Sequence, residues 1–194
     1  MNTFQILSLV TIGSSILLAV SPNKVDNLES IVKIGHKSST LLIKTLGLNM
    51  KKRMKSGGVL HALDFCSNQA YILTQEVNQK LPRGVSIKRV SVKYRSHKNI
   101  PSQKERTILE SLQSLKSSNV ILPKYLLQKI DKNTYKYYKP LIINKKACLK
   151  CHGNIKNVEL KHEIANRYPL DNATAYKMGD LRGAIIVTIE KSIK

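Results

Sequence analysis

Two thiols and an imidazole stand together in Cys148-Leu149-Lys150-Cys151-His152. Their spacing follows the C-x-x-C-H pattern of covalent haem c attachment. In that chemistry each thiol adds to one vinyl group of a single porphyrin, and the histidine directly after the second cysteine falls beneath the iron. The stretch therefore implies one-electron transfer or ligand sensing at iron. Zinc binding and dithiol redox chemistry are the other uses of C-x-x-C. Structural zinc wants a second ligand pair at similar spacing, yet the only further cysteine is Cys66 and no H-x(3–5)-H pair follows. A thioredoxin-like dithiol wants its first cysteine at a helix start after a strand, in a cytosolic βαβ unit. Here a short apolar stretch and a basic loop, 140–147, precede Cys148. The sequence favours haem.

A single domain with a real core, plus an N-terminal appendage, is what 194 residues can hold. The composition is globular, with 42% hydrophobic and 23% charged residues. There is no tryptophan and there are only two phenylalanines, so aliphatic residues and the eight tyrosines must build the core. Three cysteines is an odd count. If two carry haem, Cys66 is left as a free thiol, an intermolecular bridge or a metal ligand. The net charge of +21 points to an acidic redox or signalling protein, or to an anionic membrane surface, beside the plain reading of a solubilising surface. Nucleic acid is not an expected partner: the lysines are spread along the chain rather than gathered into one arm, and haem c is matured outside the cytoplasm.

The N-terminus agrees on compartment. Thr3 to Val20 runs for eighteen residues without a charge, the length of a long signal-peptide core or a minimal membrane helix. Ala19-Val20-Ser21 offers small residues for cleavage, with Pro22 just after. Residues 1–22 are expected to be a signal peptide or membrane anchor, 23–56 an N-terminal helix or stalk, and 57–194 the haem domain. The domain is expected to be exported to the periplasm, soluble or anchored by its N-terminal segment.

The elements that must position the motif can be read from periodicity. Val25, Leu28, Ile31, Val32, Leu42 and Leu46 recur near helical spacing up to about Met54, and Gly57-Gly58 breaks the run. A second helix is predicted over 59–80, with Leu60, Leu63, Cys66, Ala70, Leu73 and Val77 on one inward stripe. Leu81-Pro82-Arg83-Gly84 turns the chain into a strand over 85–94 whose phase slips between Arg89 and Val90. Ser102 with Glu105 forms a capping box for a helix reaching about Lys116. A short helix is predicted over 125–131 and a tyrosine-rich strand over 134–143, where Pro140 argues for an edge or strand end. The haem motif then reads as a loop, and 153–169 as a polar loop with a short helix. A glycine turn at 179–183 leads into a β-branched strand over 184–190. This order predicts an α+β domain with an antiparallel sheet, flanking helices and a long N-terminal helix, not a small all-helical cytochrome.

Four stretches together resemble the PAS-like haem c domain family, the Tll-like haem domain of cyanobacteria and of sensor proteins. Ala62 to Ala70 resembles its cysteine-bearing helix. Val90-Ser91-Val92-Lys93-Tyr94-Arg95, with Asn99, Pro101 and Glu105, resembles its arginine-serine-leucine-lysine-x-arginine-asparagine-proline segment. Tyr138-Lys139-Pro140-Leu141 with Cys148 to Gly153 resembles its haem stretch, and Gly179 to Ala184 its closing turn and strand. The likeness spans about residues 57 to 190.

The resemblance implies one covalent haem c per chain, with His152 as proximal ligand and Cys66 as the second axial ligand. It implies a low-potential sensor or binding module rather than an enzyme. An electron-transfer cytochrome, or an accessory subunit of a periplasmic redox chain, is the alternative. A peroxidase-like activity ranks last, because Cys66 would occupy the position a substrate needs. The family's asparagine-proline is Ser96-His97 here, which adds His97 to the rival ligands His61, His162 and Met178. His36 is expected to face solvent, and Met50 and Met54 to pack within the helix. Arg95 and Lys93 are equally balanced between pairing with haem propionates and carrying strand-edge charge. No signalling module follows, so any signal is expected to pass to a separate protein.

Overall fold

The computed structural model describes residues 28–191. The apolar segment 3–20 and the predicted helix start at Val25 lie outside them. Helix α1 (Leu28–Asn68) is followed by α2 (Ala70–Gln79), β1 (Val85–Val90), a 3-10 turn (His97–Asn99), α3 (Gln103–Ser117), β2 (Leu126–Lys129), β3 (Thr134–Ile142), α4 (Lys146–His152), α5 (Val158–Arg167) and β4 (Leu181–Glu190). The four strands form one antiparallel sheet in the order β1-β4-β3-β2. The fold is thus the expected α+β class, with flanking helices and a long N-terminal helix. Among the described residues no helix is long and apolar enough to cross a membrane.

Strand β4 sits inside the sheet and is covered on both faces, which is why its sequence is a near-continuous apolar run. Ile185, Val187 and Ile189 join Ile31 and Leu42 of α1, Val77 of α2, Ile87 of β1, and Tyr135 and Tyr137 of β3 in the main core. The alternate residues Ala184 and Ile186 pack with Val90, Tyr138 and Leu109 of α3 on the opposite face. Tyr135, Tyr137 and Tyr138 are all buried, so tyrosine does supply the aromatic bulk. The N-terminal half of α1 is therefore packed on the sheet rather than standing clear of it as a stalk. Its approach is close: a Cβ on Gly35 would lie 2.3 Å from Tyr137 Cγ, so only glycine fits there.

Gly57-Gly58 breaks α1 into two helical segments, as the sequence predicts, because both glycines leave helical geometry (Gly57 φ −161°, ψ 23°; Gly58 ψ −155°). Gly58 has φ +70°, a conformation that favours glycine. The second half of α1 carries Ala62, Leu63 and Phe65 inward. The helix predicted over 59–80 is divided at Gln69, where α1 gives way to α2.

Three further expectations change. Within 125–131, Leu126–Lys129 form the edge strand β2 instead of a helix, because they pair with Tyr138–Tyr135 of β3. The strand predicted to Tyr94 stops at Val90, and Ile87 and Val90 are its buried residues, which matches the phase slip. The motif lies on the short helix α4 instead of in a loop. Pro140 lies past the reach of β2, where β3 has an open side among the described residues. At the other edge, the Asn78 side chain donates to Ile87 O at 2.8 Å and accepts from Ile87 N at 2.7 Å, pairing with β1 as a further strand would.

The Ser102–Glu105 capping box is present, and it does more than cap. Glu105 is fully buried and receives Lys88 Nζ at 2.9 Å and Lys136 Nζ at 2.8 Å, which ties α3 to β1 and β3. Burial alone would raise its pKa, but the hydrogen bonds from Lys136, Lys88 and the Ser102 N–H outweigh burial and hold the carboxyl at about 2. A carboxylate depressed from the ordinary range by that margin contributes about 3 kcal/mol at neutral pH. That stability is complete above the unfolded carboxyl pKa and fades as pH falls from about 4.5 towards 2. Glu105→Gln is expected to lower the urea midpoint at pH 7 and to flatten the acid-induced loss of stability that wild type shows. Equal midpoints at pH 7 would remove this role.

Candidate functional site

On α4, Cys148, Cys151 and His152 stand at i, i+3 and i+4, so one face of a single helical turn carries all three. The turn is held between two small apolar clusters. Cys151 packs with Leu63 of α1 and Leu160 and Ile164 of α5. Cys148 packs with Ile143, Ala173 and Tyr176. Asn157 caps α5 by accepting from Leu160 N at 2.7 Å, which fixes where that wall starts.

The loop 171–176 holds the motif in place through its backbone. Ala175 N donates to Gly153 O at 3.1 Å and Tyr176 N to His152 O at 2.9 Å. His152 Nδ1 lies 2.8 Å from Ala173 O. A carbonyl can only accept, so Nδ1 carries the proton and Nε2 keeps its lone pair. Burial lowers the His152 pKa to about 3, with Arg182 and Arg95 adding to the effect. The imidazole is therefore neutral at physiological pH, the form that binds a metal.

Arg95 and Asp171 complete the brace. Their side chains meet at 3.0 Å and each is 8% exposed. Arg95 Nη2 also donates to Cys151 O at 2.6 Å and Ala173 O at 3.3 Å, and Asp171 Oδ1 accepts from Ala173 N at 2.8 Å. One ion pair thus fixes both the helix that carries the thiols and the carbonyl that fixes the histidine tautomer. Arg95 is thus no mere strand-edge charge: Asp171 and two carbonyls engage its guanidinium, while its Nε has no partner and the residue still borders the cavity that the motif faces. Lys93 is likewise engaged, donating to Thr174 O at 2.7 Å and lying 4.7 Å from the centre of the Tyr176 ring.

The motif faces a cavity with two unlike halves. A half of about 270 Å3 is mostly apolar and is bordered by Cys148, Cys151, Met50, Met54, Leu63 and Ile143. A half of about 390 Å3 is polar and is bordered by Arg89, His97, Lys98, Arg167 and Tyr168. Cys66, His152, Arg95 and Arg182 border both. Met50 and Met54 thus line the cavity and are not merely helix-packing residues. Cys66 has open surface, yet the protein around it is dense enough that burial raises its thiol pKa, an effect Arg89 and Arg95 partly offset. The two facts agree because its open surface faces the cavity rather than the outside.

Among the rival ligands, only His97 borders the cavity, on the polar half. His61 and His162 are exposed, Met178 is 49% exposed, and His36 faces solvent as expected. The donor chemistry and the cavity would fit a haem. Two thiols sit beside the apolar half, where the hydrocarbon part of a porphyrin belongs, and cations line the half where its carboxylates belong. Arg89, Asp171, Ala173 and Arg182 were not singled out as part of the site from the sequence. A spacing rule finds side chains, but Ala173 acts through its carbonyl, and Asp171 acts on an arginine far from it in the chain.

Replacing Asp171 leaves a buried guanidinium without its counter-charge, a change that typically costs about 3–5 kcal/mol. Asp171→Asn is expected to lower the urea midpoint clearly, and adding Arg95→Met to recover part of the loss. A wild-type midpoint for Asp171→Asn would show that the pair does not brace the motif.

Comparison with known proteins places this architecture. A family model described as Tll0287-like matches residues 20–190. No curated protein matches. Among solved structures, the crystal structure of the cyanobacterial heme-protein Tll0287 is similar, with a TM-score of 0.58 and 20% sequence identity. That match covers 89% of this chain and 99% of the other. The structural likeness shows the same fold, and the family model spans the whole of the stretch from about 57 to 190 that carries the resemblance. The chain belongs to the Tll0287-like family.

Proposed function

We propose that this protein is an exported mono-haem c-type cytochrome domain that acts as a redox or gas sensor and binding module. Cys148 and Cys151 would hold one porphyrin covalently, His152 would ligate its iron on one side, and Cys66 on the other. One observation carries the reading: among the described residues, Cys66 and His152 are the only two ligand-type side chains that border both halves of the cavity, while the thiols of the motif border its apolar half.

The bound haem would supply one-electron iron chemistry, and the residues decide how it is tuned. Ala173 O keeps the His152 Nε2 lone pair free for iron. Cys66 binds a metal as thiolate, so ligation would have to overcome the raised pKa of its buried thiol. A thiolate opposite histidine favours ferric iron and lowers the potential, the reverse of methionine ligation. Cys66 and His152 would both be taken up in holding the group, which would leave no open position for a substrate and supports a non-enzymatic role. Attachment of haem c outside the cytoplasm, together with the apolar segment 3–20, supports export to the periplasm.

The net charge of +21 supports the second reading, an electron carrier or accessory subunit that docks an acidic protein by electrostatic steering. The same charge would favour an anionic membrane surface.

Cys66→Ser is expected to abolish the thiolate signature of the ferric visible spectrum while leaving haem covalently attached. A spectrum identical to wild type rules Cys66 out as ligand, with His97 the next to replace. Cys148→Ala with Cys151→Ala is expected to release the haem in denaturant. Carbon monoxide or nitric oxide binding to the ferrous protein, with loss of Cys66, favours sensing. Fast electron exchange that weakens with salt, at unchanged ligation, favours the carrier. Sustained peroxide turnover would sink the non-enzymatic reading.

A further inference from the structure

The cations around the polar half of the cavity are not equivalent. Arg95 is matched by Asp171. Arg167 is matched by Asp64 at 3.0 Å and Glu163 at 3.2 Å. Arg182 Nη1 donates to Ser91 Oγ at 2.8 Å and Lys93 O at 3.0 Å, and its guanidinium lies 5.4 Å from the centre of the Tyr176 ring. Lys98 Nζ lies 3.9 Å from the centre of the Tyr71 ring.

Arg89 combines two deficits that the others show singly. Like Arg95 Nε, its Nε is sealed from solvent and has no hydrogen-bond partner; like Arg182 and Lys98, it forms no ion pair with a carboxylate among the described residues. A guanidinium has five donors and remains charged at any physiological pH. Holding that charge in a half-buried position without a counter-ion is unfavourable. Its place in the sheet is fixed, because Arg89 pairs with Ile185 in the β1–β4 register and Val90 beside it is buried on the α3 face.

The lining of the cavity says where the missing anion belongs. Arg89 borders the polar half and an adjoining cavity of about 180 Å3 that also meets His152 and Arg182. It does not border the apolar half, and Cys148 and Cys151 do not border the polar one. A flat amphipathic molecule fixed by its hydrocarbon edge at the two thiols, with its centre between Cys66 and His152, would extend its other edge towards Arg89.

We propose that Arg89 binds the carboxylate edge of the porphyrin, as a bidentate partner for one propionate. The assignment rests on the haem reading above, and it replaces Arg95 and Lys93 in the role the sequence offered them. Geometry favours arginine over lysine here, because its planar fork matches a carboxylate.

The test uses the full chain with its haem attached, comparing wild type with Arg89→Gln and Arg89→Lys. Haem content by pyridine haemochrome and far-ultraviolet circular dichroism establish that each variant is loaded and folded. Resonance Raman then reads the propionate bending bands, and a redox titration reads the midpoint potential against pH. In Arg89→Gln the bending band is expected to shift. The potential should also gain a segment that falls as pH rises, because a propionate that has lost its cation now titrates in the accessible range. Arg89→Lys should restore the charge effect but not the band position; if Arg89→Gln does not fold, the band shift in Arg89→Lys carries the test. Unchanged bands in the folded variants overturn the proposal. So does loss of the thiolate signature with unchanged bands, which would assign Arg89 to Cys66. A wild-type chain without covalent haem fails the underlying reading, a result distinct from either.

Discussion

The candidate site depends on one buried charge and its partner. Arg95 meets Asp171 where water cannot screen either, and the two reach three separate pieces of chain. A short helix of seven residues has little stability of its own, and α4 has no side-chain cap at its N-terminus. Its geometry is imposed from outside, by a guanidinium on the Cys151 carbonyl and by the backbone of 173–176. The same pair positions Ala173, and Ala173 decides which nitrogen of His152 is available. The cost of burying two charges is thus tied to holding a short, otherwise weak helical turn in one orientation.

Where the sheet lies follows from this need as well. Strand β4 begins at Leu181, just after the loop that grips the motif, and then runs between two layers of helix. The gripping loop is anchored at one end by the best-packed strand in the molecule. At its other end it continues from α5, which walls the motif through Leu160 and Ile164. Rigid elements on both sides leave the loop little freedom, and a site built from backbone carbonyls requires that.

Legibility in the sequence tracks how local each signal is. The capping box at Ser102 and Glu105, the break at Gly57-Gly58 and the β-branched run of β4 depend on neighbours a few residues away, and each could be read directly. The edge strand β2 could not, because its four residues are a strand only through pairing with β3. The helical state of α4 was hidden for the same reason: basic residues, no cap and only seven positions look like a loop until the rest of the domain grips them. The helical stripe placed Cys66 inward, and the structure gives it open surface on the cavity instead. The roles of Arg89 and Asp171 depend on what stands opposite them in space, which periodicity does not carry.

The break in α1 has a bearing on how the molecule comes apart. The two adjacent glycines leave helical geometry and interrupt the hydrogen-bond ladder of α1, and residues 51–58 between the sheet-bound half and the cavity-bound half are mostly exposed, with none buried. Amide exchange would therefore be fastest along α1 near this break, and the helix would open there before either half lost its packing. The boundary between two cooperative units then falls at the break between the two helical segments of α1. On one side is the sheet, with Gly35 locked against Tyr137. On the other is the segment carrying Cys66, which can loosen while the sheet stays folded.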